Sequence, residues 1–478
     1  MEPEKFLVGN NFKTSEETID IVNPYSGEVV KRIYRSQDSD TMDAFEYLTE
    51  SFKEYSSLPA YIRSRLLYEI SKRVYRKREE LADLITLETG KPIKYSKIEI
   101  ERAVLTFRLG VNASGNIPGE IINLDQLPGS EGKTGYIKRF PLGIIFAITP
   151  WNFPINLVAH KISPALASGN VVLLKPATAS MACGLEVGKI VYDAARFVGI
   201  KNPPINVITS AGSSTEKFIS DGRVKMVSFT GSHDVGWNLK RIAHKQKVSL
   251  ELGGNAAAVI EDSNDLDLTA QKIALGGFAQ AGQSCISVQR VLVNENIYET
   301  FREMLIEKTK NLKYGDPFDP ETIVGPMINS SEAERVETWV NEAEKNNAKI
   351  ICGGQRTGAV YLPTVIENVN DRDKVNCNEV FAPVITLTPF TYFEEAIEKV
   401  NDSDFGLQAG IFTSNINNAL LAFEKIDCGG VIVNDVPTYR MDSMPYGGVK
   451  DSGNSREGIN YAIKEMTELK IMVITNKM

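Results

Sequence analysis

The segment FAQAGQSCISVQRV, residues 278–291, sets one cysteine, Cys285, in a glycine-flanked stretch just ahead of a β-prone run. A thiol there is either a nucleophile, reactive as its thiolate, or a small buried hydrophobe. The other cysteines, at 183, 352, 377 and 428, form no CxxC pair, and Cys352 in AKIICGG reads as core. Histidines occur only at 160, 233 and 244, too few and too scattered for a structural zinc set, so no metal is expected. Two nucleotide-binding signatures fail. Gly132, Lys133 and Thr134 end like a phosphate-binding loop, but the glycine required five positions before Gly132 is Leu127, and no GxGxxG follows a strand.

The elements that must position Cys285 are legible from periodicity. From Asp40 to about Val111, apolar residues recur every three or four positions, which predicts helices with a stop at Gly90; the basic run KRVYRKR within them reads as a solvated face. The texture then changes. PLGIIFAITPW, GNVVLLKPA, INVITSAG and VKMVSFTGS are short, nearly all-apolar and β-branched, separated by helical stretches such as MACGLEVGKIVYDAARFVG. Such runs predict a parallel sheet covered on both faces, with ligands at the strands' carboxyl ends. A second β/α series starts near Leu250, with ELGGNAAAVI, QRVLVNENI, AKIICGG and APVITLTPF. Two pieces fit neither series: IPGEIINLDQLPGSEGKTGYIKRF, a hairpin with a Pro-Gly turn, and the β-prone LKIMVITNK, which needs an edge to pair with, in another copy or in its own chain.

Length and charge bound the function. A chain of 478 residues invites two or more domains, and a net charge of −8 disfavours nucleic acid as a partner. No apolar run approaches the roughly 20 residues that span a membrane, and MEPEKFLVGNNFKTSEETID lacks the charged-then-apolar pattern of a signal peptide. With an odd number of unpaired cysteines, the expected setting is cytoplasmic.

Seven short motifs follow one another along almost the whole chain: PWNFP (150–154), LLKPA (173–177), FTGSHDVG (229–236), ELGGN (251–255), GQSC (282–285), EVFAPV (379–384) and PYGGVKDSG (445–453). In this order they resemble the aldehyde dehydrogenase superfamily. The resemblance implies that Cys285 attacks an aldehyde carbonyl to give a thiohemiacetal that can lose hydride. It implies that Glu251 activates the water that hydrolyses the resulting thioester, as in the hydrolytic branch and unlike the CoA-acylating branch, which lacks this glutamate. Asn152 matches the amide that, with the Cys285 N–H, stabilises the oxyanion; its plainer reading is a helix N-cap. Lys161 matches a lysine of supporting catalytic role, or is a snorkelling surface lysine.

The same resemblance implies a nicotinamide dinucleotide across the first sheet. Its adenosine ribose would lie near Lys175 and its pyrophosphate near Gly231 and Ser232, at a helix start. Glu379 would hold the nicotinamide ribose beside Phe381, with Trp151, Phe229, Leu252 and Gly253 of the matching motifs nearby. Two departures stand out. Where NAD-preferring members carry a glutamate three residues after the KP lysine, this chain has Thr178, which leaves Lys175 free to pair with a 2′-phosphate, so NADP is expected ahead of NAD. The TGPG-like segment flanking the adenine reads Thr209, Ser210, Ala211, Gly212, placing Ser210 and Gly212 in the cofactor set.

For the substrate, Asn152, Asn156 and His160 are spaced four apart and share a helix face. Asn156 and His160 match positions that are apolar or aromatic in members taking hydrophobic aldehydes, so a polar wall and a small hydroxylated or acidic aldehyde are expected. Tyr439, Arg440 and Tyr446 fall where the family closes its substrate tunnel, in a loop resembling the lactaldehyde and glyceraldehyde dehydrogenase group.

The expected architecture is α/β: a Rossmann-like dinucleotide-binding domain (1–115 and 142–248), an α/β catalytic domain (249–440) and a small β oligomerisation flap (116–141 and 460–478). The expected function is oxidation of a short polar aldehyde with NADP or NAD, in a dimer or tetramer. One rival is an NAD-linked semialdehyde dehydrogenase of the succinate-semialdehyde type, with Arg440 anchoring the distal carboxylate. Another is a catalytically silent nucleotide-binding homologue, against which the joint presence of Cys285, Glu251 and Asn152 argues.

Overall fold

The computed structural model describes residues 1–476; positions 477 and 478, the end of the expected oligomerisation flap, lie outside the described residues. Two seven-stranded sheets carry the site. The first runs in the order Lys247–Glu251, Val224–Thr230, Ile144–Ile148, Val171–Lys175, Ile205–Val207, Phe6–Val8, Asn11–Lys13. Its first five strands are parallel, as their near-continuous apolar runs require, and an N-terminal hairpin is added antiparallel at the edge. Helices cover both faces, and the side chains of Ile145, Phe146, Leu173 and Leu174 are fully buried.

The expected helical run forms Asp38–Tyr55, Ala60–Arg76, Arg78–Thr89 and Ile93–Ala113. The third of these helices stops at Gly90, whose left-handed φ of 68° and close approach to Pro326, 2.4 Å from where a Cβ would stand, admit no side chain.

The second sheet runs Lys349–Cys352, Thr364–Glu367, Val384–Phe390, Val288–Asn294, Ala256–Ile260, Gln408–Phe412, Gly430–Val433, parallel except at its first strand. The chain passes between the sheets at residues 252–255, so a division at 248/249 falls inside the last strand of the first sheet. KVSLE pairs in parallel with Val224–Thr230 up to Thr230 and Glu251, and this keeps Leu250 and Glu251 with the first sheet.

The third unit is a three-stranded antiparallel sheet ordered Thr467–Thr475, Lys133–Pro141, Glu120–Asn123. The C-terminal strand thus pairs within its own chain, from Thr467 against Pro141 to Thr475 against Lys133. Its outer edge has no partner among the described residues, and Leu469, Ile471, Met472 and Val473 are about half exposed. Among the described residues no helix is long and apolar enough to cross a membrane.

Candidate active site

A cavity of about 970 Å³ opens between the two sheets, and Asn152, Glu251, Cys285, Glu379 and Arg440 all line it. Cys285 is delivered by a strained turn. Gln280 and Ala281 both adopt a left-handed φ of 57°, which neither residue favours and which the surrounding packing must hold. The glycines of ELGGN let backbone approach: a Cβ on Gly254 would meet the Cys285 carbonyl oxygen at 2.2 Å, and one on Gly253 the Glu379 carboxylate at 2.3 Å.

The Cys285 sulfur lies 2.8 Å from the Tyr446 hydroxyl. Desolvation pushes the thiol up to about 11, against the pull of the Tyr446 hydrogen bond and Arg440. Glu251 accepts a hydrogen bond from Ser455 Oγ on Oε1 (2.8 Å), while its buried Oε2 has no partner among the described residues. Burial first, and Glu457 second, hold this carboxyl well above the usual range, although Ser455, Lys161 and Arg440 oppose them. Lys161 is 2 % exposed, so it is no surface lysine; Nζ donates to Ser228 Oγ at 3.1 Å and stands 3.6 Å from Glu457 Oε1. Burial lowers its pKa even beside Glu457.

Asn152 is buried, donates Nδ2 to the Gln283 carbonyl at 3.2 Å and accepts from the Phe153 N–H. It caps no helix. The helix Asn156–Ser168 begins four residues later, and Glu99 Oε1 accepts from the Ile155 and Asn156 amides at its start (2.8 and 3.1 Å).

The expected polar wall is rearranged. Asn156 lines the cavity, but its Nδ2 donates to Asp442 Oδ1 at 3.1 Å and its Oδ1 accepts from Thr106. His160 is 2 % exposed, does not line the cavity, and pairs through Nε2 with Asp442 Oδ1 at 2.8 Å. Burial and Arg440 lower its pKa despite Asp442. The shared helix face holds for Asn156 and His160 but not for Asn152, which precedes the helix, and it turns towards a buried carboxylate that has already taken the hydrogen bonds foreseen for substrate. Tyr439 is 49 % exposed and lies off the cavity wall, whereas Arg440 and Tyr446 are on it.

Five groups outside the sequence reading complete the site. Asp442, 1 % exposed, receives a bidentate pair from Arg102 (Nη2 2.8 Å, Nε 3.1 Å), which itself lines the cavity. Glu457 accepts from Arg440 Nη2 at 2.7 Å. Desolvation would raise the Glu457 carboxyl, but Arg440, His160 and Lys161 hold it down at about 2. Glu99 and Ser455 orient the helix start and Glu251.

At the other end of the cavity, Trp151, Thr178, Gly231, Ser232, Leu252, Gly253, Glu379 and Phe381 form the wall. Trp151 and Phe381 meet edge to face at 5.7 Å. Ser232 precedes the helix His233–Ile242, so the amino end of that helix faces the opening. Glu379 Oε1 accepts from the Gly254 N–H at 2.9 Å, and burial pushes its carboxyl up to about 7. Lys175, Phe229, Ser210 and Gly212 do not line the cavity. The Phe229 ring fills the space a Cβ on Gly231 would need, at 2.5 Å; Ser210 bonds Thr215; and Gly212 opens the short helix Gly212–Thr215. Burial lowers Lys175 to about 8, and it has no carboxylate partner among the described residues.

A cysteine sulfur, a side-chain amide and a carboxyl raised by burial line one cavity between the two sheets of an α/β fold. The aldehyde dehydrogenase family model matches residues 12–472. The 3-sulfolactaldehyde dehydrogenase of Priestia aryabhattai is 42% identical over 468 residues, covering 98% of this chain and 97% of that protein. Among solved structures, aldehyde dehydrogenase 21 from Physcomitrella patens, in complex with the reaction product succinate, superposes with a TM-score of 0.96 at 38% identity, covering 100% of this chain and 99% of that one. The glyceraldehyde-3-phosphate dehydrogenase of Methanocaldococcus jannaschii, complexed with NADP, gives 0.92 at 37% identity, covering 96% and 99%. The chain belongs to the aldehyde dehydrogenase family.

Proposed function

We propose that this enzyme oxidises a short aldehyde carrying a hydroxyl or an anionic group beyond the carbonyl to the carboxylic acid, with NADP ahead of NAD. The observation that carries the substrate class is the pair of guanidiniums, Arg102 and Arg440, on the wall of the cavity that holds Cys285. The three relatives described above are named for, or bound to, a sulfonated, a carboxylated and a phosphorylated compound, each with a remote anion. A planar guanidinium is suited to all three oxyanions.

The residues present suit a nicotinamide dinucleotide. Lys175 is a buried cation without a carboxylate, Thr230 Oγ1 is buried on the cavity wall without a partner, and a helix amino end opens towards the same space. Lys175 and the amides after Ser232 would hold the phosphates, and Glu379 would take a ribose hydroxyl. When bound, the dinucleotide supplies the hydride acceptor. Everything else falls to the chain. Cys285 attacks the carbonyl carbon, and Asn152 Nδ2 with the Cys285 N–H receives the oxyanion. Glu251, made more basic by burial, takes a proton from the water that attacks the thioester, and Ser455 keeps its other oxygen in place. We read the apolar three-stranded sheet as a contact between copies in a cytoplasmic homo-oligomer.

The test is a panel of lactaldehyde, glyceraldehyde, glyceraldehyde 3-phosphate, 3-sulfolactaldehyde, succinate semialdehyde, hexanal and benzaldehyde, each with NADP and NAD, followed by absorbance of the reduced nicotinamide. The polar and anionic aldehydes should lead in kcat/KM. A lead for hexanal or benzaldehyde refutes the substrate class and leaves the family assignment standing. The semialdehyde reading is favoured over the others if succinate semialdehyde with NAD heads the panel.

A further inference from the structure

Among the described residues, the Cys285 sulfur has one side-chain hydrogen-bond partner, the Tyr446 hydroxyl at 2.8 Å, and that hydroxyl has no other. Tyr446 is held rigidly. It is 3 % exposed, and its backbone exchanges hydrogen bonds with Glu457 in both directions (3.2 and 2.6 Å). The Arg440 guanidinium carbon stands 3.7 Å from the ring centre, fixed there by Glu457. We propose that Tyr446 is a catalytic residue whose phenolic O–H donates to the Cys285 sulfur and raises the fraction of it present as the attacking thiolate. The proposal rests on the reading of Cys285 as the nucleophile.

The direction of the hydrogen bond follows from the surroundings. Burial, and then the neighbouring Cys285, make loss of the phenol proton harder, so Tyr446 remains a donor. A donor favours the anionic sulfur over the thiol, and a cation over the ring face makes the phenol a stronger donor. The other charged groups facing the sulfur are Arg440, which also favours the thiolate, and Glu379 and Glu251, which with burial disfavour it; loss of Tyr446 removes one of the two pulls against burial and raises the thiol further. Once sulfur has bonded to the carbonyl carbon it is a poor acceptor, so the hydrogen bond acts on the free enzyme and sets how much of it is ready to react.

The test uses the full chain without cofactor. The rate of alkylation by iodoacetamide is measured against pH, and peptide mass spectrometry, with Cys285→Ala as the unlabelled control, assigns the label. Tyr446→Phe should move the midpoint up by about one pH unit, so that alkylation near neutrality is about tenfold slower. Replacing Tyr446 by 3-fluorotyrosine, a more acidic phenol of nearly native shape, should move it down. An unmoved or lowered midpoint in the phenylalanine variant overturns the proposal. Should that variant fail to fold, an unmoved midpoint in the fluorinated protein does the same. If the variants show these shifts but the unmodified protein oxidises no aldehyde, the functional reading fails and the role of Tyr446 stands.

Discussion

Asp442→Asn is the perturbation that tests the buried charge cluster most directly. Asp442 Oδ1 accepts from Arg102 Nη2, Asn156 Nδ2 and His160 Nε2 at 2.8, 3.1 and 2.8 Å, and Oδ2 accepts from Arg102 Nε at 3.1 Å. A carboxamide can keep its oxygen towards the three donors, but its NH₂ then faces Arg102 Nε, donor against donor. The remaining contacts lose their charge assistance, falling from about 1.5–3 to about 0.5–1.5 kcal/mol each. Over the three remaining contacts this is roughly 4 kcal/mol. Arg102 is 25% exposed and can recover some hydration, which leaves about 3 kcal/mol, the low end of the cost of breaking a buried ion pair. Guanidinium denaturation followed by tryptophan fluorescence gives the measurement. Desolvation would raise the Asp442 carboxyl, but His160 and Arg102 hold it far below its usual range, so the contribution is present above the unfolded value of about 3.9 and is lost only as pH falls through the much lower folded value. The difference between wild type and variant should therefore be flat from neutral pH to about pH 5. A loss below about 0.5 kcal/mol, as for an ordinary surface substitution, would refute the account. The freed Arg102 should also lower KM for anionic aldehydes relative to uncharged ones.

Cys285→Ala should abolish turnover, whereas Glu251→Gln should give a burst of reduced cofactor followed by slow hydrolysis; near-normal steady-state rates in both would overturn the division of labour. Thr178→Glu should shift the ratio of specificity constants from NADP towards NAD, by about 1.5–3 kcal/mol for one charge-assisted contact, and an unchanged ratio counts against the cofactor reading. Because burial and Glu457 raise the Glu251 carboxyl, thioester hydrolysis should be lost as pH falls through that raised value, earlier than an ordinary glutamate would allow; single-turnover rates against pH report it, and a profile flat down to about pH 5 contradicts it. Deleting the residues from Leu469 onward should lower the molar mass seen by light scattering, since it removes the exposed apolar strand; an unchanged mass excludes that strand from the contact between copies.

Much of this molecule could be read from the chain because its signals are local. Continuous apolar runs specified parallel strands, Gly90 specified a helix stop, and motifs of four to nine residues marked the cavity walls. The cluster beneath the site was not legible, because its members meet only through the fold. Arg102 and Asp442 are paired across 340 positions, and Arg102 in ERAVLTF has the spacing of an ordinary helix charge. A usable signal was present: Asp442, Arg440 and Tyr446 share one loop with few apolar residues, where an acid beside a buried arginine calls for further cations. The helix period correctly put Asn156 and His160 on one face. It could not say that Asp442 faces them, which is why replacing both residues would disturb stability as well as specificity.

The C-terminal strand carries a consequence for biosynthesis. Lys133–Pro141 leaves the ribosome more than three hundred residues before Thr467–Thr475, the strand that covers one of its edges. At about 5–20 residues per second the wait is roughly 15 to 65 s, during which Tyr136, Phe140 and a row of unpaired amides have only the short strand Glu120–Asn123 for company. A nascent chain of this enzyme therefore leaves this sheet edge uncovered while the following three hundred or so residues are made.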